Sequence, residues 1–145
     1  MENELSDICC EQNPDSARQR KLLIALLDTG ADINAADKNG VTALHHAVRF
    51  RSPVAVKTLI ERGANVNQAC KKSRSTPLHR AVTTTGAPGT AGKRQEALEI
   101  IWLLIAAGAD PSLTNKSGRK PVDYVKDDAI KALLNSGNTK QAKND

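Results

Sequence analysis

DKNGVTALHHAVRFRSPVAVKTLIERGANVN, residues 37–67, reads as one complete turn–helix–helix unit. Gly40 marks a tight turn, and Thr42 can cap a short helix over Ala43–Phe50. Ser52-Pro53 opens a second helix. The serine hydroxyl serves as the cap, and the proline sits at the first helical position, where a missing N–H costs nothing. Gly63 stops that helix. Leu44, Ala47 and Val48 form an i, i+3, i+4 stripe on the first helix, and Val56, Leu59 and Ile60 repeat it on the second.

The unit recurs. Gly30-Ala-Asp-Ile-Asn34 returns as Gly63-Ala-Asn-Val-Asn67 after 33 residues and as Gly108-Ala-Asp-Pro-Ser112 after a further 45. The excess of 12 divides into one residue in the turn before Thr76 and 11 between the two helices that follow. In the same frame Thr42-Ala-Leu-His-His-Ala47 aligns with Thr76-Pro-Leu-His-Arg-Ala81. A 33-residue period carrying T-P-L-H-x-A resembles the ankyrin repeat, and the resemblance covers about residues 14–137. It implies an all-α solenoid of stacked helix–turn–helix units with short β-turn fingers. The physics agrees, since neither helix of one unit can bury its stripe alone and stacking makes a continuous core.

Other parts of the chain vary the pattern. Residues 1–36 read as an N-terminal capping repeat. Its short first helix carries Leu5, Ile8 and Cys9. Its second starts at Asn13-Pro14 and carries Leu22, Leu23, Ala25, Leu26 and Leu27, with Arg18, Arg20 and Lys21 on the wet side. Residues 37–69 are a regular repeat, with Ala43 where the family has proline and Arg51 where glycine is usual. Residues 70–114 form a repeat whose turn is replaced by Lys71-Lys-Ser-Arg-Ser75. Its interhelical insertion, about 83–96, holds Gly86, Pro88, Gly89 and Gly92 and reads as an extended loop. The helix after it, Gln95–Ala107, has Leu98, Ile101, Leu104 and Ile105 as its expected core stripe. Residues 115–137 form a trimmed C-terminal cap, with Asp123 standing in for histidine and Ala129, Ile130, Leu133 and Leu134 as its stripe. The polar residues 138–145 read as a frayed tail.

At 145 residues the chain has the size of a single domain, and Phe50, Trp102 and Tyr124 are its whole aromatic set, which suits a thin solenoid packed by aliphatics. No apolar run is long enough for a membrane span, and the acidic N-terminus lacks a secretory pattern. Three cysteines, two adjacent, make no disulfide framework, so an intracellular, cytoplasmic setting is expected. Adjacent helical cysteines point about 100° apart and rarely share a metal, so no metal site is expected, and Cys9 reads as a small buried apolar residue. Residues 86–94, GAPGTAGKR, fail the phosphate-loop pattern: Ala87 stands where the first glycine belongs and Arg94 replaces Ser/Thr. No catalytic constellation emerges and no cofactor is expected.

The net charge of +5 favours acidic partners. Lys38, Lys71, Lys72, Arg74, Lys116 and Arg119 lie on or beside successive turns, which in ankyrin stacks line up as fingers. The resemblance also implies a concave surface carrying Asn39, Val41, Arg49, Phe50, Ser73, Ser75, Thr83 and Thr84. A solvated rim and a surface for an acidic protein partner both fit this charge. Phe50 is the expected affinity anchor. By the same resemblance His45 and His79 link neighbouring repeats by hydrogen bonds, while His46, one residue out of phase, is expected to be exposed. Trp102 falls where the family shows a charged residue. It is expected to pack beneath the inserted loop, with a partner-binding aromatic as the alternative. The function implied is a non-catalytic protein–protein interaction module acting as a monomer. The alternative is nucleic-acid binding through the basic edge, although stacking aromatics are missing there.

Overall fold

The computed structural model describes residues 4–10, 15–83, 94–125 and 127–143. Seven α-helices occur in these residues: α1 (Glu4–Cys9), α2 (Ser16–Asp28), α3 (Ala43–Arg49), α4 (Pro53–Glu61), α5 (Pro77–Thr83), α6 (Arg94–Ala106) and α7 (Asp128–Lys143). A 3-10 helix, Pro121–Tyr124, precedes α7. The described residues contain no strand, only an isolated bridge between Ala36 and Thr42 at the base of a turn. The helices form two rows. The inner row runs α1, α3, α5 and the 3-10 helix; the outer runs α2, α4, α6 and α7. This is the all-α solenoid that the period implies.

Local chemistry sets the helix boundaries. Thr42 Oγ1 accepts from His45 N–H, and the His45 ring reaches back to Thr42 N–H, closing a capping box. Ser52 Oγ accepts from Ala55 N–H, with Pro53 opening α4. Gly63, at φ 93°, ends that unit in the left-handed region. Arg51 takes the same region at φ 55° and is buried beside Glu96, so the position that usually holds glycine here carries a strained arginine. α2 begins at Ser16, capped by Asp15, whose carboxylate accepts from Arg18 N–H; the expected start at Asn13-Pro14 lies outside the described residues.

The core is one continuous seam between the rows. Leu44, Ala47 and Val48 of α3 meet Ala55, Val56 and Leu59 of α4, and Leu78, Ala81 and Val82 of α5 extend it. Cys9 is fully buried. Gln19, which has no apolar surface to suggest burial, is also sealed. It donates to Ile8 C=O and accepts from Ser52 Oγ at 2.6 Å, joining α1, α2 and the start of α4. Arg20 does not simply face water: it reaches along the outer row to Thr58 and Glu61, while Arg62 pairs back with Asp28.

Several expectations need correction. α6 buries Ala97, Ile100, Ile101 and Leu104, with Leu98 and Ile105 only partly covered, so its inward face is turned toward Ile100. Ala129 is exposed, and Ile130 and Leu134 carry the last contact. α7 continues through Gly137 to Lys143 where a frayed tail is expected. Lys140, Gln141, Ala142 and Lys143 are good helix formers, but the Asn135-Ser-Gly-Asn-Thr139 run before them is not, so propensity alone does not account for the continuation. The core of the insertion, 84–93, lies outside the described residues.

Candidate interaction face

Each finger is built by its own backbone. Asp37 Oδ1 accepts from Asn39 N–H at 2.8 Å and Val41 N–H at 3.0 Å, and these bonds, that from Val41 above all, hold its carboxyl below the usual range. Gly40 closes the turn at φ 77°. A Cβ there would stand 2.7 Å from Lys71 N, so glycine is required both by conformation and by the approach of the next finger. The longer finger, residues 71–75, absorbs its extra residue by putting Arg74 in the left-handed region at φ 56°, while Cys70 N–H still reaches Ser75 C=O.

The fingers are tied to one another. Lys71 N–H donates to Asn39 C=O and Lys116 N–H to Ser73 C=O, each at 2.8 Å. Behind them, His45 Nδ1 accepts from Thr42 N–H, which leaves Nε2 to donate to Ser75 C=O at 3.2 Å. His79 repeats this with Thr76 and with Arg119 C=O at 2.9 Å. In the last repeat Asp123 Oδ2 replaces the histidine Nδ1, accepting from Lys120 N–H. At the opposite edge Asn34 and Asn67 side chains accept from Asn65 and Asp110 N–H, so the recurring Asn of the G-A-x-x-N motif is also a tie between repeats.

This network brings Lys38, Asn39, Lys71, Lys72, Arg74, Lys116 and Arg119 onto one edge, all exposed. None of the six cations forms an ion pair among the described residues. Arg49 is exposed, with its guanidinium carbon 5.9 Å from the ring centre of half-buried Phe50. Val41 does not belong to the face: it is buried, because the Asx turn of Asp37 points it into the core. Of the other concave positions, Ser73 is exposed, Ser75 is half-buried, and Thr84 lies outside the described residues.

Sequence reasoning missed three neighbours. His46 is half-buried rather than exposed, and its Nδ1 has no hydrogen-bond partner among the described residues. Burial first, and then Arg80, pushes its pKa down; Asp37 and Asp7 pull the other way. Tyr124 is 37 % exposed, with Arg119 over its ring at 5.8 Å and Asn115 donating to its hydroxyl. Arg80 is half-buried between them on α5. The signal was present: all three fill the fifth position of the six-residue motif. Nearby, burial pushes the Cys70 thiol up, but hydrogen bonds from the Ser73 side chain and from Ser73 and Ser75 N–H, with Arg80, outweigh it and bring the pKa to about 7.

Away from this edge, Trp102 is 56 % exposed on α6, against the expectation that it is covered. At the N-terminal end α1 and α2 leave an apolar groove of about 420 Å³ floored by Ile8, Leu22 and Leu26. Among the described residues no helix is long and apolar enough to cross a membrane.

Comparison with known proteins agrees with the architecture. The sequence model described as "Ankyrin repeats (3 copies)" matches residues 9–115. Human BCL-6 corepressor-like protein 1 is 35 % identical over 114 residues, covering 78 % of this chain and 6 % of that protein. Mouse Rabankyrin-5 is 32 % identical over 107 residues, 74 % of this chain and 9 % of that protein. The chain thus spans a small part of the length of these relatives. Among solved structures, the ankyrin repeat domain of Bcl-3, described as a unique member of the IkappaB protein family, superposes with a TM-score of 0.69 at 31 % identity. That match covers 82 % of this chain and 47 % of the other.

Proposed function

The chain belongs to the ankyrin-repeat family, whose domains mediate protein–protein interaction, and on that premise we propose that it is a non-catalytic module gripping an acidic partner protein with its concave face and basic fingers. The observation that carries this reading is the pair of backbone hydrogen bonds, Lys71 to Asn39 and Lys116 to Ser73, that lock three fingers into one edge. Six cations are thereby held side by side without an ion-pair partner among the described residues. A preorganised edge loses little ordering entropy on binding. Its charges raise the association rate and make it salt-sensitive, while Phe50, braced by Arg49, supplies buried contact area. The module acts as a monomer in the reducing interior of the cell, in keeping with three free thiols.

Affinity capture from the native cell tests this, with the Arg49→Ala/Phe50→Ala/Arg74→Ala variant as control. A partner held by the native chain and lost by the variant, whose melting curve is unchanged, supports the reading. Equal retention of that partner by both, or selective capture of a nucleic acid at physiological salt, overturns it.

A further inference from the structure

The three fingers close alike. Asp37 N–H donates to Val41 C=O, Cys70 N–H to Ser75 C=O and Asn115 N–H to Arg119 C=O, at 3.0, 3.1 and 2.9 Å. Each turns through one residue in the left-handed region, Gly40, Arg74 or Gly118. The residue just before it is Asn39, Ser73 or Ser117, so these three stand in register along the edge. The ties between fingers agree. Lys71 N–H reaches Asn39 C=O, and Lys116 N–H, one residue before Ser117, reaches Ser73 C=O. Two neighbouring tips therefore carry a serine.

Both serines are exposed, and each is flanked by cations. Lys71, Lys72 and Arg74 surround Ser73, and Lys116, Arg119 and Lys120 surround Ser117, all of them exposed. No acidic residue lies from Cys70 to Pro77 or from Pro111 to Val122. Ser73 Oγ donates to Ser75 Oγ at 2.9 Å, and the Ser117 hydroxyl makes no hydrogen bond among the described residues. Other hydroxyls nearby are placed differently. Thr76 is buried, with Oγ1 capping α5 by accepting from His79 N–H. Ser75 is half-buried, with its C=O held by Cys70 N–H and His45. Ser112 is exposed, but its hydroxyl donates to the Asp110 carboxylate at 2.6 Å, and it has no lysine or arginine beside it.

A protein kinase that selects serines beside basic residues does so with an acidic substrate groove, which these tips complement. In the transfer the serine Oγ attacks the γ-phosphorus of ATP. The Oγ–P bond forms, the bond from that phosphorus to the β–γ bridging oxygen breaks, and ADP leaves with the electron pair. The serine proton passes to the carboxylate base of the kinase. Each phosphoserine brings about −1.5 to −2 charge at pH 7 and three strong acceptor oxygens. Two of them offset most of the charge of Lys71, Lys72, Arg74, Lys116 and Arg119 and occupy those side chains from within the chain. The first finger has Asn39 at this place and keeps Lys38 as it is.

We propose that Ser73 and Ser117 are a pair of phosphoacceptor sites for a kinase selective for basic flanks, and that phosphate on them closes the edge to its acidic partner. The effect on binding rests on the concave-face reading; the sites themselves rest on the geometry of the fingers.

The full chain is treated with MgATP and the catalytic fragment of protein kinase C, which selects basic flanks, and mapped by peptide mass spectrometry. Ser73 and Ser117 should be converted about tenfold faster than Ser112, with Ser75 and Thr76 unmodified. Either serine left unmodified, or Ser112 converted as fast as they are, overturns the sites. Binding is read by fluorescence anisotropy of a labelled decaglutamate peptide, at about 0.05 M and about 0.2 M salt. It compares the native chain with one carrying genetically encoded phosphoserine at both positions. The phosphates should weaken binding about tenfold at the lower salt and less at the higher, with unchanged far-UV melting. Affinity unchanged by the phosphates, or a loss as large at the higher salt, overturns the switch. If the phosphates change nothing while the Arg49→Ala/Phe50→Ala/Arg74→Ala variant loses the peptide, only the switch falls. If the unmodified native chain does not hold the peptide, the concave-face reading falls as well.

Discussion

His79 Nε2 stands 2.9 Å from Arg119 C=O, so a buried imidazole on α5 holds the finger that presents Arg119. Its Nδ1 is occupied by Thr76 N–H and Oγ1. Replacing His79 with alanine strips partners from both ends at once. The loss should be about 1–3 kcal/mol, measured by urea denaturation. Hydrogen exchange should quicken in the 115–119 finger more than in the fingers before it.

Stability should fall with acid in a window set by His45. Burial, only partly offset by its bond to Ser75, pushes the pKa of this fully covered ring from 6.5 down to about 4. Between those values the unfolded chain binds a proton that the folded chain refuses, so stability decreases as pH falls from about 6.5 to 4, by ~3 kcal/mol. Asp37, whose folded carboxyl is also depressed, loses its contribution lower still, as pH falls below its ordinary 3.8. Denaturation midpoints against pH should show the upper step in the native chain and a smaller one in His45→Gln, where half-buried His46, whose pKa burial also pushes down, still contributes.

Arg74 sits at φ 56° on an exposed finger. A side chain in that region costs about 1 kcal/mol, which glycine relieves apart from its own entropy loss. Arg74→Gly should therefore leave stability unchanged or raise it by up to about 1 kcal/mol, while weakening the acidic partner and flattening the salt dependence of binding.

Trp102→Ala separates the two expectations for that side chain. A sealed tryptophan costs about 3–5 kcal/mol when truncated. At 56 % exposure the expected loss is about 1 kcal/mol, read from urea midpoints.

Much of this was legible in the residues because repeats state the same rule several times. Thr42, Ser52-Pro53 and Gly63 mark helix ends through local hydrogen bonding and backbone geometry, which a short window contains. The histidine ties followed from the resemblance, since the same residue recurs in phase. What escaped depends on contacts between repeats. Gln19 is sealed because Ile8 and Ser52 happen to satisfy its amide. Val41 is buried because Asp37 turns the chain inward. His46 and Tyr124 join Arg80 only once the copies are stacked, although their shared place in the motif could have drawn attention to them. α7 runs on through Gly137 although Asn135, Ser136, Asn138 and Thr139 around it are weak helix formers, a continuation that local propensity does not explain.

Hydrogen exchange of the native chain with and without its captured partner tests the central claim most directly. Slowed exchange should be confined to the fingers around Lys38–Gly40, Lys71–Ser75 and Asn115–Arg119 and to α3 and α5. Protection centred instead on the outer helices α4 and α6, around Trp102, with the fingers unchanged, would contradict it.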